Sequence, residues 1–411
     1  MKSYEDRELS SALRSLAGTI EVPAGNLRPA HRTRLSLATG FAGIALALLV
    51  AVAAIAALNG ARPAIGNQPP TPPRTPSKSV QTTAVASIPR EFAFVDASPG
   101  RDVNLWLVDL TGATQPVSIA RWSLGSNTYS ASRDGKTIII AAPGEKSIIA
   151  LHLLHPLTGD ATVLFEGPPD GRVLYPTLSP DGKRFAFTLG RSGLSDGVWV
   201  GDIADGSVRQ LYKSPRSDLS EGPVTIFEWS DDGQWLCYSA FDDADLTKGP
   251  RMFLHNVVDG RRIEAGPGSK ISWRDLEPRV IVAAIGGKGN QGAFGATIYT
   301  LDLASQRRTE LLSIDPRVEA LEWSPTRDEF LYLPTDTGCL FGSSIWVRSL
   351  GSTVATRIGN IQTAQAAWWS ADGGTIYALV AGGGTDGIIV NAMTGQRIAT
   401  IPDAGPPRPC S

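Results

Sequence analysis

Leu178-Ser179-Pro180-Asp181-Gly182-Lys183-Arg184-Phe185-Ala186-Phe187 reads as strand, tight turn, strand. Asp-Gly is expected to take the positive φ angles of a two-residue hairpin turn. Pro180 pre-sets φ near −65° and has no N–H for a ladder, so the first strand ends there. The alternation Arg184-Phe185-Ala186-Phe187 puts both phenylalanines on one face of the next strand.

The pattern recurs along most of the chain. Ser132-Arg133-Asp134-Gly135 leads into Ile138-Ile139-Ile140, Ser230-Asp231-Asp232-Gly233 into Trp235-Leu236-Cys237-Tyr238, and Ser370-Ala371-Asp372-Gly373 into Ile376-Tyr377. Weaker copies start at Ser87, Arg274 and Ser324. The seven equivalent positions are 45, 47, 51, 44, 50 and 46 residues apart. A third strand follows each hairpin, as in Val198-Trp199-Val200 or Ile345-Trp346-Val347, and a fourth follows a short turn, as in Val208-Arg209-Gln210-Leu211. Four strands per 40–50 residues make one propeller blade. The expectation is an all-β, seven-bladed propeller of four-stranded antiparallel blades over residues 80–402. Blade one would take Val80 to Ala86 as its innermost strand. If that strand fails, six full blades and a partial one remain.

The Ser-Pro-Asp-Gly-Lys hairpin follows an apolar or aromatic residue (Leu178, Trp229, Trp323, Trp369) and resembles the repeat of TolB-like, WD40-like β-propellers. That resemblance implies a closed ring with loops gathered at both ends of a central channel. The Gly-His and Trp-Asp signatures of eukaryotic WD repeats are not in register.

Composition agrees with a folded β-protein. Hydrophobic residues make up 42% and charged residues 19%, and 43 Gly and 29 Pro stand against only 3 Met. Many short strands joined by turns use residues this way. A net charge of −2 gives no footprint for nucleic acid.

The first 79 residues differ in kind. Residues 1–34 are polar, with Leu9, Leu13 and Leu16 at helical spacing over about 4–17. They read as a cytoplasmic tail. Leu13-Arg14-Ser15-Leu16-Ala17, followed by Val22-Pro23, loosely resembles the tails of bacterial single-pass signalling proteins, including anti-sigma factors. The His and Cys of a zinc-containing anti-sigma domain are missing. Residues 35–58 carry no charge and are long enough to cross about 30 Å of hydrocarbon as one helix. The preceding tail is long for a signal peptide. Arg28, Arg32 and Arg34 precede the span closely and only Arg62 follows it closely. The positive-inside rule then places the N-terminus in the cytoplasm and the propeller outside. Residues 59–79, with Gln68-Pro69-Pro70-Thr71-Pro72-Pro73, read as a semi-extended spacer. Residues 403–411 form a C-terminal tail.

Chemistry-bearing motifs are thin. Gly287-Lys288-Gly289-Asn290-Gln291-Gly292 matches GxGxxG, but a strand pattern follows where dinucleotide binding needs a helix. His152 and His155 fall on opposite faces of a strand, awkward for one metal, and His255 stands alone. Asp242-Asp243-Ala244-Asp245 lacks the full calcium-loop pattern. No GxSxG, Walker A or HExxH motif occurs. Cys339 and Cys410 fall on one face of adjacent blades, where an oxidising compartment would permit a bridge; two free thiols are the alternative. Cys237 reads as a small buried hydrophobe.

These readings point to binding rather than catalysis, with no cofactor, no metal and no nucleic acid. A protein or cell-envelope ligand is the expected partner. The longest loops, near 240–250, 284–296 and 333–344, share a face and carry Asp242, Asp243, Asp245, Lys288, Asn290, Asp336 and Phe341 as candidate partner-binding residues. A transmembrane signalling role through the 4–17 helix is one alternative, separable by deleting residues 1–30. A hydrolase or lyase working in the channel is the other.

Overall fold

The computed structural model describes residues 74–402, except 98–101, 124–128, 145–148, 168–170, 192–193, 215–223, 241–250, 269, 275–278, 286–295, 315–316, 336–343, 362–363 and 382–385. All described residues fall in one unit, Pro72–Ser411. They form seven four-stranded antiparallel sheets arranged as the blades of a propeller. Among them no helix is long and apolar enough to cross a membrane, and residues 35–58 lie outside the described part.

Blade 1 contains β1 (Val80–Thr82), β2 (Phe92–Ala97), β3 (Asp102–Asp109) and β4 (Val117–Ser123). Blade 2 contains β5 (Tyr129–Ala131), β6 (Ile138–Pro143), β7 (Ile149–His155) and β8 (Asp160–Phe165). Blades 2 to 7 keep sequence order from one edge to the other. Their inner strands are β5, Gly171–Leu178, Thr225–Trp229, Lys270–Trp273, Arg317–Trp323 and Ala364–Trp369.

The core is divided. Seven buried clusters each lie between two adjacent blades. Phe185 and Phe187 fill the one between blades 2 and 3, with their rings stacked 6.1 Å apart. The ring closes where Val95, Ala97, Val108 and Leu110 of blade 1 meet Tyr377, Ile389, Ala399 and Ile401 of blade 7. The Tyr377 hydroxyl donates to Glu91 across that junction at 2.9 Å.

The recurring turn differs from the expected Asp-Gly hairpin. Only the glycine takes positive φ, +68° at Gly182, and Asp181 does not. The Ser179 N–H donates to the Arg184 carbonyl at 2.8 Å, so the loop is longer than two residues. The Ser179 hydroxyl accepts the Arg184 N–H at 2.9 Å and donates to Asp181 Oδ1 at 2.7 Å. The same set holds at Ser132–Asp134, Ser230–Asp232 and Ser370–Asp372. A hydroxyl thus replaces a ladder carbonyl, and the aspartate orients it. Glycine is also required by its neighbour: a Cβ at Gly182 would sit 3.1 Å from the Ser132 Cβ of the preceding blade.

Val80 to Ala86 does not form the innermost strand. β1 pairs with β4, so Val80–Thr82 lies on the outer edge of blade 1, where Val80 buries beside Trp122. The reason is upstream. Thr75 and Ser77 already bond to the outer strand of blade 2, through Val163 N–H to Thr75 O and Ser77 N–H to Ala161 O. Arg74 reaches the Ile203 carbonyl of blade 3. The end of the expected spacer is therefore a strap along the rim of three blades. It delivers the chain to the outside of blade 1.

Candidate functional site

Alignment of the turns defines a channel-lining position two residues before each turn serine or its equivalent. It holds Ser130, Thr177, Glu228, Ser272, Glu322 and Trp368. In three blades this side chain ties one inner strand to the next. Ser130 Oγ accepts the Leu178 N–H and Ser272 Oγ accepts the Trp323 N–H, each at 2.9 Å. The Glu322 carboxylate takes the Trp369 N–H. The Glu228 carboxylate takes no hydrogen bond among the described residues.

Four of these strands end in a buried tryptophan, and an arginine of the preceding blade lies over three of them. Arg184 covers Trp229, Arg274 covers Trp323 and Arg327 covers Trp369, at 5.8, 5.2 and 5.3 Å from the ring centroids. Such cation–π stacking holds the mouth of the channel rigid. Across that mouth Arg133 of blade 2 pairs with Asp231 of blade 4, over Pro180 of blade 3.

Two cavities open at this end. One, about 580 Å³, is bounded by Arg133, Leu178, Glu228, Trp229, Asp231 and Lys270. The other, about 500 Å³, is bounded by Phe92, Arg133, Glu228, Asp231, Glu322 and Trp368, among others. Glu228 keeps surface open to channel water, while protein surrounds it over the distances on which solvent stabilises charge. Burial therefore pushes its carboxyl up to about 8, and the like charges of Asp231 and Glu322 add to the shift. Burial also pushes Glu322 up to about 8. Asp181 behaves oppositely. Burial works to raise it, but the bonds from Ser179 and Lys183 outweigh that and hold it below the usual carboxylate range. It is a turn residue.

The loop residues expected to bind a partner, Asp242, Asp243, Asp245, Lys288, Asn290, Asp336 and Phe341, lie outside the described residues, as do Cys339 and Cys410. The GxGxxG stretch does too, and the segment after it is strand Ala296–Asp302. His152 is buried in β7 with Nε2 3.3 Å from the Ala142 carbonyl, and His255 is buried 3.4 Å from the Tyr238 hydroxyl. Cys237 is a fully buried free thiol in a second strand. No cluster of three His, Cys, Asp or Glu with metal-binding geometry occurs among the described residues. Glu228, Glu322, Asp231 and Arg133 are the residues that motif reading passed over. Aligning the blades on the turn serine exposes them, because carboxylates then stand where other blades carry hydroxyls.

No protein-family model matches this sequence, and no curated protein matches it closely enough to count as a relative. Solved structures do match. TolB from Acinetobacter baumannii aligns at 15% identity and TM-score 0.44 over 66% of this chain, which spans 64% of that protein, under two thirds of its length. An oligogalacturonate lyase in complex with manganese aligns at 14% identity and TM-score 0.50, covering 79% of this chain and 85% of that one. A TolB from Agrobacterium tumefaciens aligns at 16% identity and TM-score 0.37, covering 59% and 90%. At such identities these likenesses bear on the fold alone: the chain is a seven-bladed β-propeller, similar in architecture to proteins of differing activity.

Proposed function

We propose that this chain is a membrane-anchored, extracytoplasmic binding scaffold whose partner engages the channel mouth on the turn face. The uncharged run 35–58, with arginines on its N-terminal side, supports the anchor and its orientation. The observation that carries the binding reading is the pair of cavities walled by Glu228, Glu322 and Asp231 on a rigid, arginine-stacked ring. Propellers hold their walls still and vary what the walls present. Asp231 is paired with Arg133, but Glu228 and Glu322 form no ion pair among the described residues, and once ionised they favour a basic ligand.

Photo-crosslinking in the native membrane tests this. A crosslinker at Lys270 or Ala371 should capture a partner, whereas one at Asp242 or Lys288 should not. Capture only at the latter pair would move the partner surface to the opposite loops and refute the reading. A second reading has one observation in its favour. Two carboxyls poised near 8 can serve as general acid and base, so a hydrolase or lyase of the channel is the alternative. Turnover abolished by Glu228→Gln would establish it.

A further inference from the structure

Blade 1 has the strands of its neighbours in a different order. The Leu110 N–H donates to the Glu91 carbonyl at 3.0 Å. The same bond runs from Ile203 to Lys183, Val257 to Gln234 and Leu350 to Asp328, in each case just before the second strand of the blade. β2 is therefore the second strand of blade 1, equivalent to β6. In blade 2 the channel side of β6 is covered by β5. In blade 1 the sheet order is β1-β4-β3-β2, and nothing covers β2 among the described residues. The missing inner strand has its counterpart in β1, displaced to the rim.

The register shows what this leaves open. Glu91 pairs with Leu110 through backbone bonds, so Ala93, Val95 and Ala97 also turn theirs toward β3. Phe92 and Phe94 turn theirs toward the channel. The Phe94 carbonyl takes the Tyr129 hydroxyl at 2.6 Å. The N–H groups of Phe92 and Phe94 have no partner among the described residues. Both rings are half-buried against the cluster between blades 1 and 2, and Phe92 also lines the 500 Å³ cavity together with Trp368, Glu322, Glu228 and Asp231.

We propose that the inner edge of β2 is a strand-addition site for an extended, basic segment of a partner protein. Its backbone carbonyls accept the free N–H groups of Phe92 and Phe94. A lysine or arginine on its channel side meets Glu228 and Glu322. An open sheet edge recruits a strand through main-chain bonds, and flanking charges select which one. The protein's own residues 403–411 fit poorly, because Pro406, Pro407 and Pro409 withhold ladder donors. The proposal deepens the binding reading above and rests on it.

Fluorescence anisotropy with the full-length chain in detergent micelles tests it. The probe is a capped seven-residue peptide alternating valine and lysine. Its companions replace lysine by glutamate, or carry backbone N-methyl groups on either the valines or the lysines. At pH 9, where Glu228 and Glu322 are ionised, the lysine peptide should bind at least about tenfold more tightly than the glutamate one. One N-methylated isomer should lose binding and the other keep it, since a strand uses alternate N–H groups. Phe94→Pro removes an edge donor without touching the β3 ladder and should weaken binding about tenfold. The Glu228→Gln, Glu322→Gln double variant should remove the preference for lysine even if the proline variant misfolds. Equal binding of both N-methylated isomers overturns strand addition while leaving a channel-mouth scaffold standing. No binding, or binding only after deletion of residues 403–411, also overturns it.

Discussion

Blades 1 and 3 start from similar sequence and end with different edges. In blade 3 an inner strand, Gly171–Leu178, precedes the turn, and Ser179 is fully buried with three hydrogen bonds through its hydroxyl. Behind that turn Phe185 and Phe187 are completely buried. In blade 1 no inner strand precedes the turn, and Ser87 is exposed and makes none of those bonds; Ala93 and Val95 hold the places of Phe185 and Phe187, while Phe92 and Phe94 lie half-buried on the opposite face of β2. The serine lock needs strands on both sides, because it bridges the end of one to the start of the next. Where the first strand is absent the lock lapses, and the second strand keeps an open edge.

The largest effect should fall on the packing contrast. Phe185→Ala should cost about 4 kcal/mol of unfolding free energy, because it empties a closed cluster between two blades. Phe94→Ala should cost less than about 2 kcal/mol, since its ring is only half-buried at the margin of the cluster between blades 1 and 2. Denaturant unfolding of both variants checks this, and equal losses would mean that the Phe94 ring is as fully enclosed as that of Phe185. The turn contrast should be smaller. Ser179→Ala strands the buried Arg184 N–H and should cost about 1–3 kcal/mol. Ser87→Ala should stay within about 0.5 kcal/mol of wild type.

Why blade 1 escaped the sequence follows from its length. The repeat was legible because four turns spend an aspartate and a glycine on one geometry, and three weaker copies keep the same spacing between them. The tripeptide Val80-Gln81-Thr82 carries no such mark. It buries one residue of three, and an inner or an outer edge accepts that equally well. What decides is the strap at Thr75–Ser77, whose pairing with β8 is invisible in a proline-rich run that reads as a spacer. The carboxylates of the mouth were hidden for a related reason. Glu228 and Glu322 each precede a tryptophan in an alternating strand and read as ordinary polar positions. Only their place in the ring, facing each other across a channel, gives them chemistry.

That chemistry has a sign. Glu228 and Glu322 titrate near 4.5 in the unfolded chain and near 8 in the fold. Between those values the native state holds protons that the unfolded chain has lost, so stability falls as pH rises through the window. The cavities also present Arg90, Glu91, Arg133, Asp231 and Lys270, so the full profile includes their charges. Glu228→Gln and Glu322→Gln should each flatten the fall, seen as melting temperature against pH from 5 to 9. A basic peptide at β2 favours the ionised form, so its affinity should rise toward pH 9. An unchanged slope in both variants would remove the carboxylates from the argument.

The bridge over the mouth should matter little for stability. Arg133 and Asp231 both keep solvent contact, with 60% and 28% of their side-chain surface exposed. Arg133→Ala should therefore cost no more than about 1 kcal/mol. Its effect on the channel should be clearer than its effect on the fold. Arg133 is the cation that opposes the upward shift of Glu228. Without it Asp231 loses that partner and faces Glu228 as a less compensated negative charge. The carboxyl should titrate at higher pH, and the basic peptide should gain affinity at pH 9, where one competing cation is gone. Carbonyl-region infrared titration of Arg133→Ala against Glu228→Gln would read the first, and anisotropy the second. A peptide that binds the variant less well would show that Arg133 contributes to recognition directly, placing the occupied part of the mouth at blades 2 and 4 instead of at the edge of blade 1.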